Sequence, residues 1–128
     1  MKNIPFETNA VAKKILDASF AVHRALGPGL LESVYEFCLV HELNKLHTAV
    51  ARQVRLPILY DGMKLGAALR MDLVAGGRVI VELKSVDALA PIHTAQMLTY
   101  LKLSGLRLGL LINFNVPVLH KGIRRIAL

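Results

Sequence analysis

The stretch Val79 to Val86, VIVELKSV, decides how this chain is read. Val79, Ile80, Val81 and Leu83 have the composition of a buried strand, yet Glu82 and Lys84 interrupt it. Side chains alternate across a strand. Val79, Val81 and Leu83 therefore share one face, and Glu82 and Lys84 share the other, ~6.6 Å apart along the strand. A strand built for the interior carries a carboxylate and an ammonium only if they are paired or used.

Immediately upstream lies MKLGAALRMDLV, residues 63–74, whose single acid is Asp72, followed by the turn signal AGG at 75–77. In an antiparallel hairpin, opposite residues share a face and their numbers have a constant sum. A two-residue Gly76-Gly77 loop sets Asp72 opposite Val81, on the other face from Glu82. A three-residue loop, Ala75-Gly76-Gly77, pairs Val74 with Arg78 and Asp72 with Ile80. Asp72 and Glu82 are then diagonal neighbours on one face, ~7–8 Å apart. Three-residue loops want Gly at the left-handed position, so an odd-numbered turn or a bulge is predicted here. Two converging carboxylates repel and are costly to bury, and a divalent cation removes both problems. Hard oxygen ligands suit Mg²⁺ or Mn²⁺. Lys84 alongside can orient or help deprotonate a water, or steady charge developing at phosphorus. A plainer reading stays open: Lys84 ion-paired with Glu82 or Asp72 in a partly exposed strand.

The rest of the chain supplies a frame. Residues 9–26 read as a helix with Val11, Ile15, Ala18 and Val22 as its apolar stripe and Thr8 or Asn9 as its cap. GPG at 27–29 stops it, and a second helix is predicted over about 30–46. There Glu32, Tyr35, Glu36, Leu39 and Leu43 align on one side, and Leu31, Val34, Cys38 and Val40 widen the apolar surface. Glu32 stands at the border of that face, in the first turn, where an acid also simply complements the helix dipole. VARQVRLPILY, 50–60, is a strand ending at the hairpin signal Asp61-Gly62. Pro91 opens and Gly105 closes a third helix, PIHTAQMLTYLKLS, with Gln96 and Tyr100 on one face. The amide can donate to a phosphate and the ring can form a wall with a polar tip; from spacing alone, a core tyrosine beside a surface glutamine is the more ordinary arrangement. LRLGLLINFN, 106–115, should be an interior strand and HKGIRRIAL, 120–128, a more exposed last one. The order is α-α-β-β-β-α-β-β, one mixed sheet with helices packed on it.

Composition narrows the partners. The 128 residues are 54% hydrophobic, with no apolar run near the ~20 residues of a membrane helix. The first ten residues, MKNIPFETNA, have no apolar segment of the secretory kind, so the expectation is a cytoplasmic protein whose lone Cys38 is a buried, reduced thiol. A net charge of +7 favours an anionic partner, nucleic acid first. No Gly-rich phosphate loop, zinc-type Cys/His spacing or G-x-S-x-G elbow competes. Of the scattered histidines, 23, 41, 47, 93 and 120, only His93 falls near the candidate site, where capping or surface duty suits it better than catalysis.

Asp72, then Glu82-Leu83-Lys84, then Gln96-Met97-Leu98-Thr99-Tyr100 resembles the PD-(D/E)XK nuclease superfamily, the Q-x-x-x-Y element being most like its RecB-type exonuclease branch. GLLESVY, 29–35, looks like the motif that names the small prokaryotic GxxExxY proteins, as do its surroundings at 22–36, 79–86 and 91–117. The resemblance runs from about residue 10 to the end. Met71, not Pro, precedes Asp72, while Arg70 stands where this branch often has Arg. The resemblance implies an α/β fold with a restriction-endonuclease-like core, α-β-β-β-α-β, in one domain over 1–128. It implies Asp72 and Glu82 as metal ligands with the carbonyl of Leu83 a third, Glu32 as the helix acid facing the metal, and Lys84 as the catalytic lysine. Gln96 and Tyr100 would hold the nucleic-acid backbone. The implied activity is Mg²⁺- or Mn²⁺-dependent hydrolysis of DNA phosphodiester bonds, water attacking phosphorus in line. The alternative is a catalytically weak nucleic-acid- or partner-binding module of the same fold. At 128 residues the chain is near the bare core of that superfamily, with no obvious extra domain to grip DNA, so the expectation is that a second copy or another protein takes that duty.

Overall fold

Leu108–Asn113 is buried at every position, and the sheet is built around it. In the computed structural model, which describes residues 3–128, the elements follow the predicted order. They are α1 (Phe6–Leu26), α2 (Glu32–Lys45), β1 (Val50–Tyr60), β2 (Met63–Ala75), β3 (Val79–Lys84), α3 (Pro91–Ser104), β4 (Leu108–Asn113), a 3₁₀ turn (Leu119–Gly122) and β5 (Ile123–Ala127). The five strands lie side by side in chain order. Only β3 and β4 run parallel, Val79 beside Leu108 through Lys84 beside Asn113, and α3 makes the crossover between them.

Both faces of the sheet are covered, which is why its central strands read as apolar runs. On one face α1 and α2 set Ile15, Val22, Tyr35 and Leu39 against Val79, Val81, Leu83 and Leu110. On the other, α3 sets Met97, Tyr100 and Leu101 against Ile80, Leu111 and Met71. The helix lies close: a Cβ at Gly109 would stand 2.3 Å from the Met97 sulfur, so a larger residue there would have to displace that buried side chain. The predicted bounds of α3 hold to the residue, with Gly105 in the left-handed conformation at its end.

Three expectations are corrected. First, α1 begins at Phe6 behind Pro5, with neither Thr8 nor Asn9 capping it; both lie inside the helix, and Thr8 is buried. Second, Leu31 (74% exposed) and Val34 do not widen the apolar face of α2 but project from it, and Cys38 is half-buried rather than buried. Third, the β2–β3 turn has three residues as predicted, but they are Gly76-Gly77-Arg78. Ala75 pairs with Val79, Val74 with Ile80 and Leu73 with Val81, a register displaced by two. Gly76 and Gly77 both have positive φ, 58° and 66°, and Arg78 N–H donates to Ala75 O at 3.0 Å. Packing selects this loop. Ala75 is fully buried, and a Cβ on Gly76 would meet a Val11 methyl at 2.8 Å. The ladder ends at Leu73–Val81, so Asp72 lies one residue beyond the last pair, beside Glu82; Met71 packs on the α3 face and Leu73 on the α1–α2 face, so the alternation of β2 breaks at Asp72.

Because β2 pairs with β3 only over Leu73–Ala75, the rest of β2 pairs with β1 alone and forms a two-stranded arm. Leu56 and Leu69 lie opposite each other and tuck that arm under α3. Its tip turns at Asp61-Gly62 as predicted, with Tyr60 opposite Met63.

Candidate active site

Strands β2 and β3 separate immediately beyond the Leu73–Val81 pair. There Asp72 N–H donates to Glu82 Oε1 at 3.0 Å, and Leu83 N–H donates to Asp72 Oδ2 at 2.9 Å. Each carboxylate thus accepts an amide of the opposite strand in place of the ladder. The other flank of Asp72 is also interrupted. Arg52 pairs with Leu73 and Val54 with Met71, which aligns Gln53 with Asp72, and Gln53 has a left-handed backbone, φ 50°. A non-glycine residue there costs about 1–3 kcal/mol and persists only when its surroundings hold it.

Glu82 is 4% exposed. Burial, and next the charge of Asp72, push its carboxyl up from 4.5 to about 8. A side-chain hydrogen bond with Asp72 favours the protonated acid further; the bond from Asp72 N–H and the positive charge of Lys84 act the other way and do not prevail. The phenol of Tyr100 is raised too, by burial and then by the charges of Glu82 and Asp72.

Glu32 reaches the site from α2. With Gln53, Arg70, Asp72 and Leu83 it lines a cavity of about 160 Å³, although its own side chain is exposed. The turn before it is closed by Tyr35, whose hydroxyl donates to Gly27 O at 2.6 Å and accepts Leu30 N–H at 3.1 Å. The Tyr35 ring stacks on Phe114, centroids 4.4 Å apart. Ser85, just after Lys84, donates its hydroxyl to Leu30 O at 2.7 Å and ties the same turn to the end of β3. In the G-x-x-E-x-x-Y stretch, then, the tyrosine anchors the loop that presents the acid.

Helical spacing marks Glu36 only as a member of a stripe, but the structure gives it a defined duty. It receives Arg52 Nη2 at 2.8 Å, Arg52 Nε at 3.2 Å and Gln53 Nε2 at 2.6 Å. Adjacent strand residues ordinarily point to opposite faces. The left-handed backbone of Gln53 breaks that alternation and lets both side chains reach one carboxylate, which binds α2 to β1 a turn away from Glu32. An acid in a buried stripe is a sequence signal for Glu36; nothing in the sequence marks Gln53.

Lys84, half-buried, lines a second cavity of about 470 Å³ with Gln96, Tyr100 and His93. Among the described residues it forms no ion pair within 4 Å, so the simple Lys84–Glu82 or Lys84–Asp72 bridge is not what holds it. His93 caps α3, its Nδ1 accepting Ala90 N–H at 3.0 Å. The structure therefore joins Asp72, Glu82, Leu83 and Tyr100 closely, Glu32 with Asp72 and Leu83 around one cavity, and Lys84 with Gln96 and Tyr100 around another. It does not place Glu32 and Lys84 in one cavity. Among the described residues no group of three His, Cys, Asp or Glu side chains stands close enough to hold a metal.

The family model of the PD-(D/E)XK nuclease superfamily matches residues 9–126, nearly the whole chain and every residue of both cavities. The chain belongs to the PD-(D/E)XK nuclease superfamily. No curated protein and no solved structure matches it. The five-stranded mixed sheet flanked by helices is consistent with the restriction-endonuclease-like fold of that superfamily. PD-(D/E)XK membership points to a hydrolase of phosphodiester bonds, and such nucleases generally use divalent metals. The donor set here fits that use: two hard carboxylates meet in a buried junction, and burial first, then the charge of Asp72, makes ionising Glu82 costly without a cation. Among the described residues no helix is long and apolar enough to cross a membrane.

Proposed function

We propose that this protein is a metal-dependent nuclease of the GxxExxY branch, acting in the cytoplasm as one domain over residues 1–128 and hydrolysing DNA. The observation that carries the reading is the Asp72–Glu82 pair in the opened strand junction, each carboxylate accepting a backbone amide of the opposite strand. Asp72, Glu82 and the Leu83 carbonyl would hold Mg²⁺ or Mn²⁺, with Glu32 across the cavity closing the set. When bound, the ion supplies positive charge to the phosphoryl oxygens and lowers the cost of charge on the leaving 3′ oxygen. The chain does the rest. Lys84 steadies the attacking water and the charge growing at phosphorus. Gln96, exposed on the cavity wall, donates its amide to a neighbouring phosphate oxygen, and Tyr100 shields the carboxyl pair from solvent on the α3 side.

One observation favours a second reading, a binding module with little activity: Glu32 is exposed across the cavity and completes no group of three acids. Linear, nicked and single-stranded DNA incubated with Mg²⁺ or Mn²⁺ separates the two. Cleavage by the wild type that disappears in both Glu82→Ala and Lys84→Ala supports the nuclease. Cleavage that persists undiminished in both comes from a contaminant, and metal-independent binding without cleavage supports the module.

A further inference from the structure

Arg55 and Arg70 face each other directly across β1 and β2. Like charges at opposite positions of an antiparallel pair destabilise it. Both side chains belong to exposed residues, and among the described residues neither has an acid within 4 Å. The arm thus holds two guanidinium groups side by side with no protein counter-ion in contact.

Their placement says what the counter-ion is. Arg70 lines the cavity that contains Asp72 and Glu32. Arg55 lines another, of about 390 Å³, together with Lys64, Gly66 and Ala68. Lys64 lies six residues from Arg70 along β2, ~20 Å on at strand rise. A row of cations therefore leads outward from the carboxyl junction over a floor of small residues that lets a chain approach closely. The reverse side of the arm, Leu56 and Leu69, is packed under α3, so the basic side is the one that faces out.

We infer that the basic side of the β1–β2 arm is the track for the nucleic-acid phosphate backbone, with Arg70, Arg55 and Lys64 each meeting a phosphate in turn. This rests on the nuclease reading for the identity of the polyanion. The linear row, continuous with the carboxyl junction, matches a strand that passes through the site rather than a single small anion. The unpaired Arg55–Arg70 neighbours are stabilised only when phosphates lie between them.

The test measures binding of a short DNA duplex, and separately a single strand, by fluorescence anisotropy in EDTA across a salt series, so that hydrolysis plays no role. Arg55→Gln with Lys64→Gln is expected to flatten the slope of log K against log salt for duplex by about 1.8, roughly 0.9 per phosphate contact removed. The wild type's advantage then shrinks about tenfold between 50 and 200 mM salt. Arg55→Lys should keep the wild-type slope. Lys14→Gln with Lys102→Gln, exposed on α1 and α3, removes the same net charge and should leave the slope alone. In low salt without DNA, Arg55→Gln should raise the melting temperature by about 1–3 °C as the like-charge pair is relieved. A wild-type slope in the arm variant, an equal flattening in the helix variant, or a lower melting temperature for Arg55→Gln overturns the inference while leaving cleavage by the wild type intact. A wild type that neither binds nor cleaves overturns the nuclease reading as well.

Discussion

Glu82→Gln isolates the proton that the carboxyl pair retains. Glutamine has nearly the same shape as the protonated acid; its carbonyl can still accept Asp72 N–H, and its amide can donate to Asp72. In the wild type the folded carboxyl titrates near 8 and the unfolded one near 4.5. Between those values the native state binds the extra proton, so stability must fall as pH rises. The contribution is whole below pH 4.5 and is gone once the folded carboxyl has ionised, above about 8. At about 1.4 kcal/mol per pH unit, the wild type should lose on the order of 4 kcal/mol relative to the variant across that interval. Urea unfolding of both proteins in EDTA, repeated from pH 4 to 9, reads the difference directly. Wild type and variant should be about equal at the acid end and diverge in favour of the variant towards pH 8. Parallel stability profiles across the whole range would refute the picture of two acids sharing a proton in a dry junction.

In the proposed site a divalent cation would compete for the same oxygens. Mg²⁺ at tenfold over its Kd should add about 1.4 kcal/mol to the wild type, a rise of a few degrees in melting temperature, and nothing to Asp72→Asn or Glu82→Gln. Gln53→Val places a β-branched residue at φ 50° and should cost about 1–3 kcal/mol in urea unfolding, at least 1 kcal/mol more than Gln53→Gly, which tolerates the conformation. Equal losses in the two would mean that Gln53 is not left-handed in solution. Tyr35→Phe keeps the stack on Phe114 but strips Gly27 O and Leu30 N–H of their partner, and should cost about 1–3 kcal/mol, with faster amide exchange at Leu30.

Much of this architecture is legible in the sequence because local and global preferences agree. Pro91 and Gly105 bracket α3, Asp61-Gly62 turns the arm, and the apolar run at 108–113 lies at the centre of the sheet. The pairing arithmetic around Asp72 predicts an odd-numbered loop and brings Asp72 to Glu82, but they meet through hydrogen bonds where the alternation of β2 breaks, not as diagonal neighbours on one regular face. It misses the register, since Ala75-Gly76-Gly77 and Gly76-Gly77-Arg78 both offer glycine to a left-handed position; burial of Ala75, which the first loop would place in the turn, favours the second. The position of Glu32 depends on how the irregular loop after α1 enters α2, which helical spacing does not encode. The left-handed Gln53 depends on Glu36, seventeen residues away, drawing its amide across.

The sheet's spatial order has a consequence for synthesis on the ribosome. Strands that lie in chain order can be added one at a time to a free edge, the hairpin of β1 and β2 first and β3 next. Between the emergence of residue 84 and that of residue 108, the growing edge is VIVELK, nearly all hydrocarbon, and its permanent neighbour does not yet exist. In that interval the nascent chain is at its stickiest. The ionisable residues Glu82 and Lys84 are the sole hydrophilic break along that temporary border, so the two side chains proposed for chemistry would also act as gatekeepers while translation is still under way.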